Sequence, residues 1–168
     1  DRFDSYSNFA RIGEASMGGK GRGLAFLDLI SKRNEEFFDY DTTQIVIPKT
    51  VVICTDKFDE FMEQNNLYDI AYSENLSDEE ILSHFLEAKI PEDVWADLRA
   101  FVNVINTPIA VRSSSLLEDA HYQPFAGVYS TYMVPNNKDD VKSTLMKLGE
   151  AIKAVYASVY YSGSRSYM

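Results

Sequence analysis

Residues 45–54, Ile45-Val46-Ile47-Pro48-Lys49-Thr50-Val51-Val52-Ile53-Cys54, are mostly β-branched or apolar, and helical periodicity flanks them on both sides. Branching at Cβ suits a pleated, half-buried backbone. The run is therefore expected as a buried strand, with Pro48 at its start or at a bend before it. On its N-terminal side, Leu24, Ala25, Phe26, Leu27, Leu29 and Ile30 fit a largely buried helix. That helix should open just after Gly18-Gly19-Lys20-Gly21 and stop near Lys32-Arg33-Asn34, where cations suit a helix C-terminus.

On its C-terminal side, Thr55 is expected to cap a helix over residues 56–65 with Phe58, Phe61 and Met62 on one face. Ser77 and Glu80 have the spacing of a capping box, followed by the stripe Ile81, Leu82, Phe85 and Leu86. Pro91 fits the first turn of a further helix running to about Asn106. Ile109-Ala110-Val111-Arg112-Ser113 reads as a short strand ending in a polar loop, and residues 128–134 alternate as another strand. Asn137 is placed to cap a long helix over residues 138–161. Interleaved strands and helices give an α+β (mixed α/β) class. Residues 1–16 read as an irregular lead-in and residues 17–168 as one domain, cut at Met168 inside something larger.

Charge narrows the function. There are 16 Lys and Arg against 26 Asp and Glu, a net of 16 − 26 = −10. Polyanions and anionic membranes select basic surfaces, so no nucleic-acid or membrane partner is expected. The acidity is local: residues 56–97 hold 13 acids and two lysines. The rest of the chain is close to neutral and free to bind a small anion. Cys54 is a lone cysteine, which excludes an internal disulfide and a multi-cysteine metal site. It reads as a core residue of a cytoplasmic protein, and no metal-ligand cluster is expected.

Two strings carry anion-binding chemistry. In the first, Gly18, Gly19 and Gly21 let the backbone approach a ligand beside a helix N-terminus, and Lys20 adds a mobile cation. It is neither a P-loop nor a dinucleotide fingerprint. Gly19 stands where the P-loop lysine belongs, and Leu24 and Phe26 occupy the places of a third dinucleotide glycine. In the second string Arg112 follows an apolar strand and should need a fixed anionic partner. Its planar fork suits phosphate, with Ser113 and Ser114 as donors. A structural pairing of Arg112 with Glu118 or Asp119 stays open. His84 reads as a surface or partly buried helical residue, and His121 as a loop residue within reach of a substrate.

In order and spacing these strings resemble the N-terminal nucleotide-binding part of the phosphoenolpyruvate synthase and pyruvate phosphate dikinase family, an ATP-grasp variant. The resemblance starts at Gly18-Gly19-Lys20-Gly21 with Leu24, then passes through Ile47-Pro48 and Val52-Ile53-Cys54-Thr55 with Phe58 and Phe61. It continues through Ile109-Ala110-Val111-Arg112-Ser113-Ser114, Glu118-Asp119 and Phe125-Ala126-Gly127 with Thr131, and ends in Ala157-Ser158-Val159-Tyr160 and Arg165. It implies ATP and Mg2+ as cofactors, with Lys20 and Arg112 on the ATP phosphates and Gly18, Gly19, Ser113 and Ser114 around them. It also implies phosphoryl transfer to a histidine on another domain of the same polypeptide, and on to pyruvate or a related acceptor. The metal-holding residues and the phospho-histidine are expected outside this chain, which alone should be inactive. Two departures, Thr50-Val51 where the family has a glycine and an aromatic and Ser130 in place of an acid, keep a second reading open: a non-catalytic nucleotide-sensing or interaction module.

Overall fold

The computed structural model describes residues 8–34, 39–40, 42–114 and 130–165. Its first element is a strand, β1 (Phe9–Ile12), in the region expected to be an irregular lead-in. β1 pairs in parallel with β4 (Thr50–Ile53), Phe9 opposite Thr50 and Ile12 opposite Ile53. Between them run α1 (Gly18–Arg33) and a minimal antiparallel pair, β2 (Asp39–Tyr40) and β3 (Thr43–Gln44). The expected strand over residues 45–54 is thus shortened from its N-terminal side. Ladder pairing begins only at Thr50, whose N–H donates to the Asn8 carbonyl at 2.8 Å, and Ile45 and Val46 lie exposed before it.

Six helices, the last a single turn, build the rest of the described residues with one strand pair. α2 (Thr55–Gln64), α3 (Tyr68–Ala71), α4 (Asp78–Glu87) and α5 (Glu92–Val104) precede β5 (Ile109–Val111) and β6 (Tyr132–Val134), which pair antiparallel. α6 (Val141–Ser158) then crosses behind them and packs on α4, α5 and β6, followed by the single turn α7 (Ser162–Arg165). The mixed α and β class expected from the sequence is the one observed.

The core lies between α6 and the α2–α5 layer. Phe61, Met62, Ile81, Phe85 and Val102 are fully enclosed there, with Leu148, Ile152 and Tyr160 from α6. Tyr156 and Tyr160 complete an aromatic cluster with Phe58, Phe61 and Phe85, the Phe58 and Tyr156 rings meeting edge to face at 4.8 Å. Such pairs add roughly 0.5–1.5 kcal/mol beyond area burial. Burial drives the Tyr156 phenol well above its ordinary pKa. Two lysines tie helix ends across this layer. Lys138 donates to the Val102 and Asn103 carbonyls at the end of α5, and Lys153 to the Leu86 and Ala88 carbonyls at the end of α4. These are carbonyls that a helix leaves without internal partners.

Helix ends follow the sequence in part. The α4 capping box forms as expected, with Ser77 and Glu80 exchanging both bonds. Thr55 does not cap α2: it is the first helical residue, after Cys54. Asp140, not Asn137, caps α6, accepting from the Ser143 N–H at 2.9 Å. α1 departs most. It starts at Gly18, so the glycine string is its first turn and not a loop before it. Nor is the helix largely buried: Phe26 is 61% exposed, and Leu27 and Leu29 are exposed too. Of its residues only Gly21 and Asp28 are buried.

Candidate functional site

The glycine string reaches its place through a braced turn. β1 ends at Ile12, and Gly13 follows at φ +103°, in the left-handed region that favours glycine. A Cβ there would lie 2.5 Å from Asp56 Oδ1. The Asp56 carboxylate fills that space and accepts the N–H groups of Glu14 and Ala15 at 3.0 and 3.1 Å. Burial pushes this carboxyl upward, but the Glu14 and Ala15 bonds, with Lys57 nearby, hold it below the ordinary carboxylate range. The Thr55 N–H donates to the Ser16 carbonyl at 2.9 Å, so the whole turn is fastened to the start of α2.

α1 then begins with no side-chain cap from Met17. Ser114, nearly a hundred residues later in the chain, does the work of one. The Gly19 N–H donates to the Ser114 carbonyl at 3.0 Å. The Gly21 N–H donates to Ser114 Oγ at 2.8 Å, and that hydroxyl donates onward to the Met17 carbonyl at 2.7 Å. Gly18 sits at φ +71°, and a Cβ on it would fall 1.6 Å from the Ser114 carbonyl oxygen. Only a residue without a side chain fits there. On its inner face Gly21 rests against the Val52 methyls of β4, where a Cβ would be 3.1 Å away.

β5 brings Ser114 to this contact, and with it Arg112 and Ser113. The two strings singled out from the sequence therefore meet. Lys20 is half-buried on the first turn of α1, between two residues bonded to Ser114. Arg112 is exposed two residues before that serine. Its exposure corrects one expectation: the residue is open to solvent, so burial does not oblige it to have a fixed anionic partner, while Glu118 and Asp119 lie outside the described residues. The first turn of α1 contains no acid. The Lys20-bearing turn and the strand end that carries Arg112 thus meet at the positive end of α1, and residues of these types suit an anion.

Other expected positions fall elsewhere. His84 is exposed on α4, as a surface helical residue would be. Cys54 is fully buried, as expected of a core residue, and burial with the neighbouring Asp56 charge raises its thiol pKa. Glu118, Asp119, His121 and Phe125-Ala126-Gly127 lie outside the described residues. Asp56 was missed by sequence reasoning, because an acid in the first turn of a helix already has a local explanation there. Gly13, 43 positions earlier, was the available signal.

Mg2+ prefers oxygen ligands, carboxylates above all. Among the described residues no three or more His, Cys, Asp or Glu side chains group as a metal site. Asp56, the acid that braces the turn before the string, already accepts two amides. The described donor set therefore fits a phosphate better than a divalent ion. None of the 13 acids in residues 56–97 is buried, so the acidic helices face solvent as their sequence suggested. No described helix is long and apolar enough to cross a membrane.

A family model described as pyruvate phosphate dikinase, AMP/ATP-binding domain, matches residues 14–168. No curated protein and no solved structure matches the chain.

Proposed function

The chain belongs to the family described as the AMP/ATP-binding domain of pyruvate phosphate dikinase, and from that premise we propose that Lys20 and Arg112 hold the phosphates of ATP. Gly18, Gly19, Ser113 and Ser114 form the surrounding wall. The observation that carries this is the joint at Ser114, which joins a Gly-Lys-Gly helix start to the residues just after an arginine more than 90 positions away. Phosphates spread negative charge over several oxygens, and fixed cations stabilise that charge without covalent chemistry from the protein. Arg112 supplies a planar two-pronged donor and Lys20 a compact charge. Mg2+ in this scheme arrives on the nucleotide.

The wider role is phosphoryl transfer from ATP to a histidine carried by another domain of the same polypeptide, and on to pyruvate or a related acceptor. Residues 1–168 alone are expected to turn over nothing, since the metal-holding residues and the phospho-histidine that the family resemblance implies are not among the groups described at this joint. The test is a calorimetric titration of ATP·Mg into the protein and its Lys20→Ala and Arg112→Ala variants. A charge-assisted hydrogen bond contributes about 1.5–3 kcal/mol, so each variant should bind roughly 10–150-fold more weakly. Undiminished affinity in both would sink the assignment.

The non-catalytic sensing module rests on Thr50 and Val51. Thr50 opens β4 and turns its hydroxyl to the Pro48 carbonyl at 2.9 Å, where the family's turn has a glycine and an aromatic. Nucleotide binding without any phospho-histidine formed by the full polypeptide would select this second role.

A further inference from the structure

Every N–H at the start of an α-helix that lacks an internal partner is a potential anion ligand. Here the joint has already engaged part of that set. Gly19 N–H points at the Ser114 carbonyl and Gly21 N–H at the Ser114 hydroxyl, while Gly18 N–H contacts Ser16 Oγ at 3.3 Å. The Ser114 hydroxyl is itself engaged in both senses, accepting from Gly21 and donating to Met17. A phosphate could take these amides only by expelling Ser114, and with it the strand end that carries Arg112.

We propose that Ser114 is a positioning residue and not a phosphate ligand: it fixes the Lys20-bearing turn against the Arg112-bearing strand end, so the nucleotide is gripped by side-chain cations while the Gly19 and Gly21 amides stay on Ser114. This rests on the ATP-binding role argued above and gives the same residues a different division of labour. Gly18 belongs to the device, since its missing Cβ is what lets the Ser114 carbonyl approach Gly19. Asp56 serves the same turn from its other end, through Glu14 and Ala15.

Two measurements test it. In the wild-type protein labelled with 15N, ATP·Mg is added and through-bond coupling between amide nitrogen and phosphorus is sought at Gly19 and Gly21. Absent coupling, with both amides protected from hydrogen exchange before and after ATP, is expected. Coupling at either amide would overturn the proposal, because phosphate would then sit where Ser114 does. The second measurement is a double-mutant cycle on ATP affinity, with adenosine as a ligand that lacks phosphate. Ser114→Ala should weaken ATP on the order of tenfold and leave adenosine unchanged. The same change in a Lys20→Ala background should cost much less, because the residue to be positioned is gone. Equal losses in both backgrounds, or equal losses for ATP and adenosine, would reduce Ser114 to a structural role and refute the inference. If wild-type protein binds no ATP while remaining folded, the underlying functional reading fails instead.

Discussion

Replacing Gly18 and Gly23 by alanine, one at a time, should move stability in opposite directions although both glycines lie in α1. At Gly23 a Cβ meets nothing within 4 Å, and the residue is exposed within the helix. Alanine there gains up to about 1 kcal/mol of helix propensity. At Gly18 the new Cβ would stand 1.6 Å from the Ser114 carbonyl oxygen, at φ +71°. A left-handed conformation costs an L-residue roughly 1–2 kcal/mol, and the overlap cannot be relieved by a side-chain rotation because the opposing atom is backbone. The cheapest response is to open the joint, losing the bonds of Gly19 and Gly21 to Ser114. At about 0.5–1.5 kcal/mol net each, this sets a total loss of roughly 2–5 kcal/mol. For a chain of this size that is a fall of about 4–20 °C in Tm. Thermal unfolding followed by circular dichroism reads both variants. A Gly18→Ala protein as stable as wild type, or a Gly23→Ala protein that falls with it, would refute the joint as the feature that holds the start of α1.

Gly149 in α6 sets propensity against packing. Its Cβ would lie 2.4 and 2.9 Å from the Trp95 ring, so Gly149→Ala should destabilise by about 1–2 kcal/mol after overpacking outweighs propensity. In a Trp95→Leu background the sign should reverse, and an unchanged cost in urea melts of both backgrounds would contradict the contact. Ser77→Ala removes the hydroxyl half of the α4 capping box and should cost about 1 kcal/mol, while the Glu80 carboxyl, held low first by the Ser77 backbone N–H, stays depressed; a neutral variant by urea denaturation would count against the cap. Asp56 makes a prediction in pH. Its folded pKa is depressed, so its contribution is present above the unfolded carboxyl value and is lost as pH falls through the folded one. Asp56→Asn should therefore flatten the acid limb of stability, and hydrogen exchange at the Glu14 and Ala15 amides should quicken in wild type over that same window; an acid limb unchanged by the substitution would dismiss Asp56 as the brace.

The parts of the fold legible in the sequence are those whose causes are local. Ser77 and Glu80 stand three residues apart, and their box forms as the spacing requires. The stripes of α2, α4, α5 and α6 bury Phe61, Phe85, Val102 and Leu148 on the faces their periodicity marks. The start of α1 was illegible because glycines are poor helix formers, and its cap comes from Ser114, far along the chain. β1 was missed for a related reason. Asn8-Phe9-Ala10-Arg11-Ile12 shows no strong strand pattern, and its conformation is set by pairing with β4. The mirror case is Ile45-Val46, β-branched yet outside the ladder, because no partner strand reaches them in the described residues.

For the site, residue types pointed to Lys20 and Arg112, and only the fold could show what lies between them. The sequence marked Ser113 and Ser114 alike as donors and gave no reason to prefer Ser114. The choice is made by geometry, through a carbonyl and a hydroxyl that meet two amides and exclude a Cβ.

The most direct test of the whole account is a side-by-side titration of ATP·Mg and adenosine into wild-type protein and the Lys20→Ala/Arg112→Ala double variant. Recognition through the phosphates predicts that ATP binds wild type far more tightly than adenosine does, and that the double variant erases most of that preference while leaving adenosine affinity intact. A preference for ATP that survives the loss of both cations would contradict the placement of the phosphates at this joint.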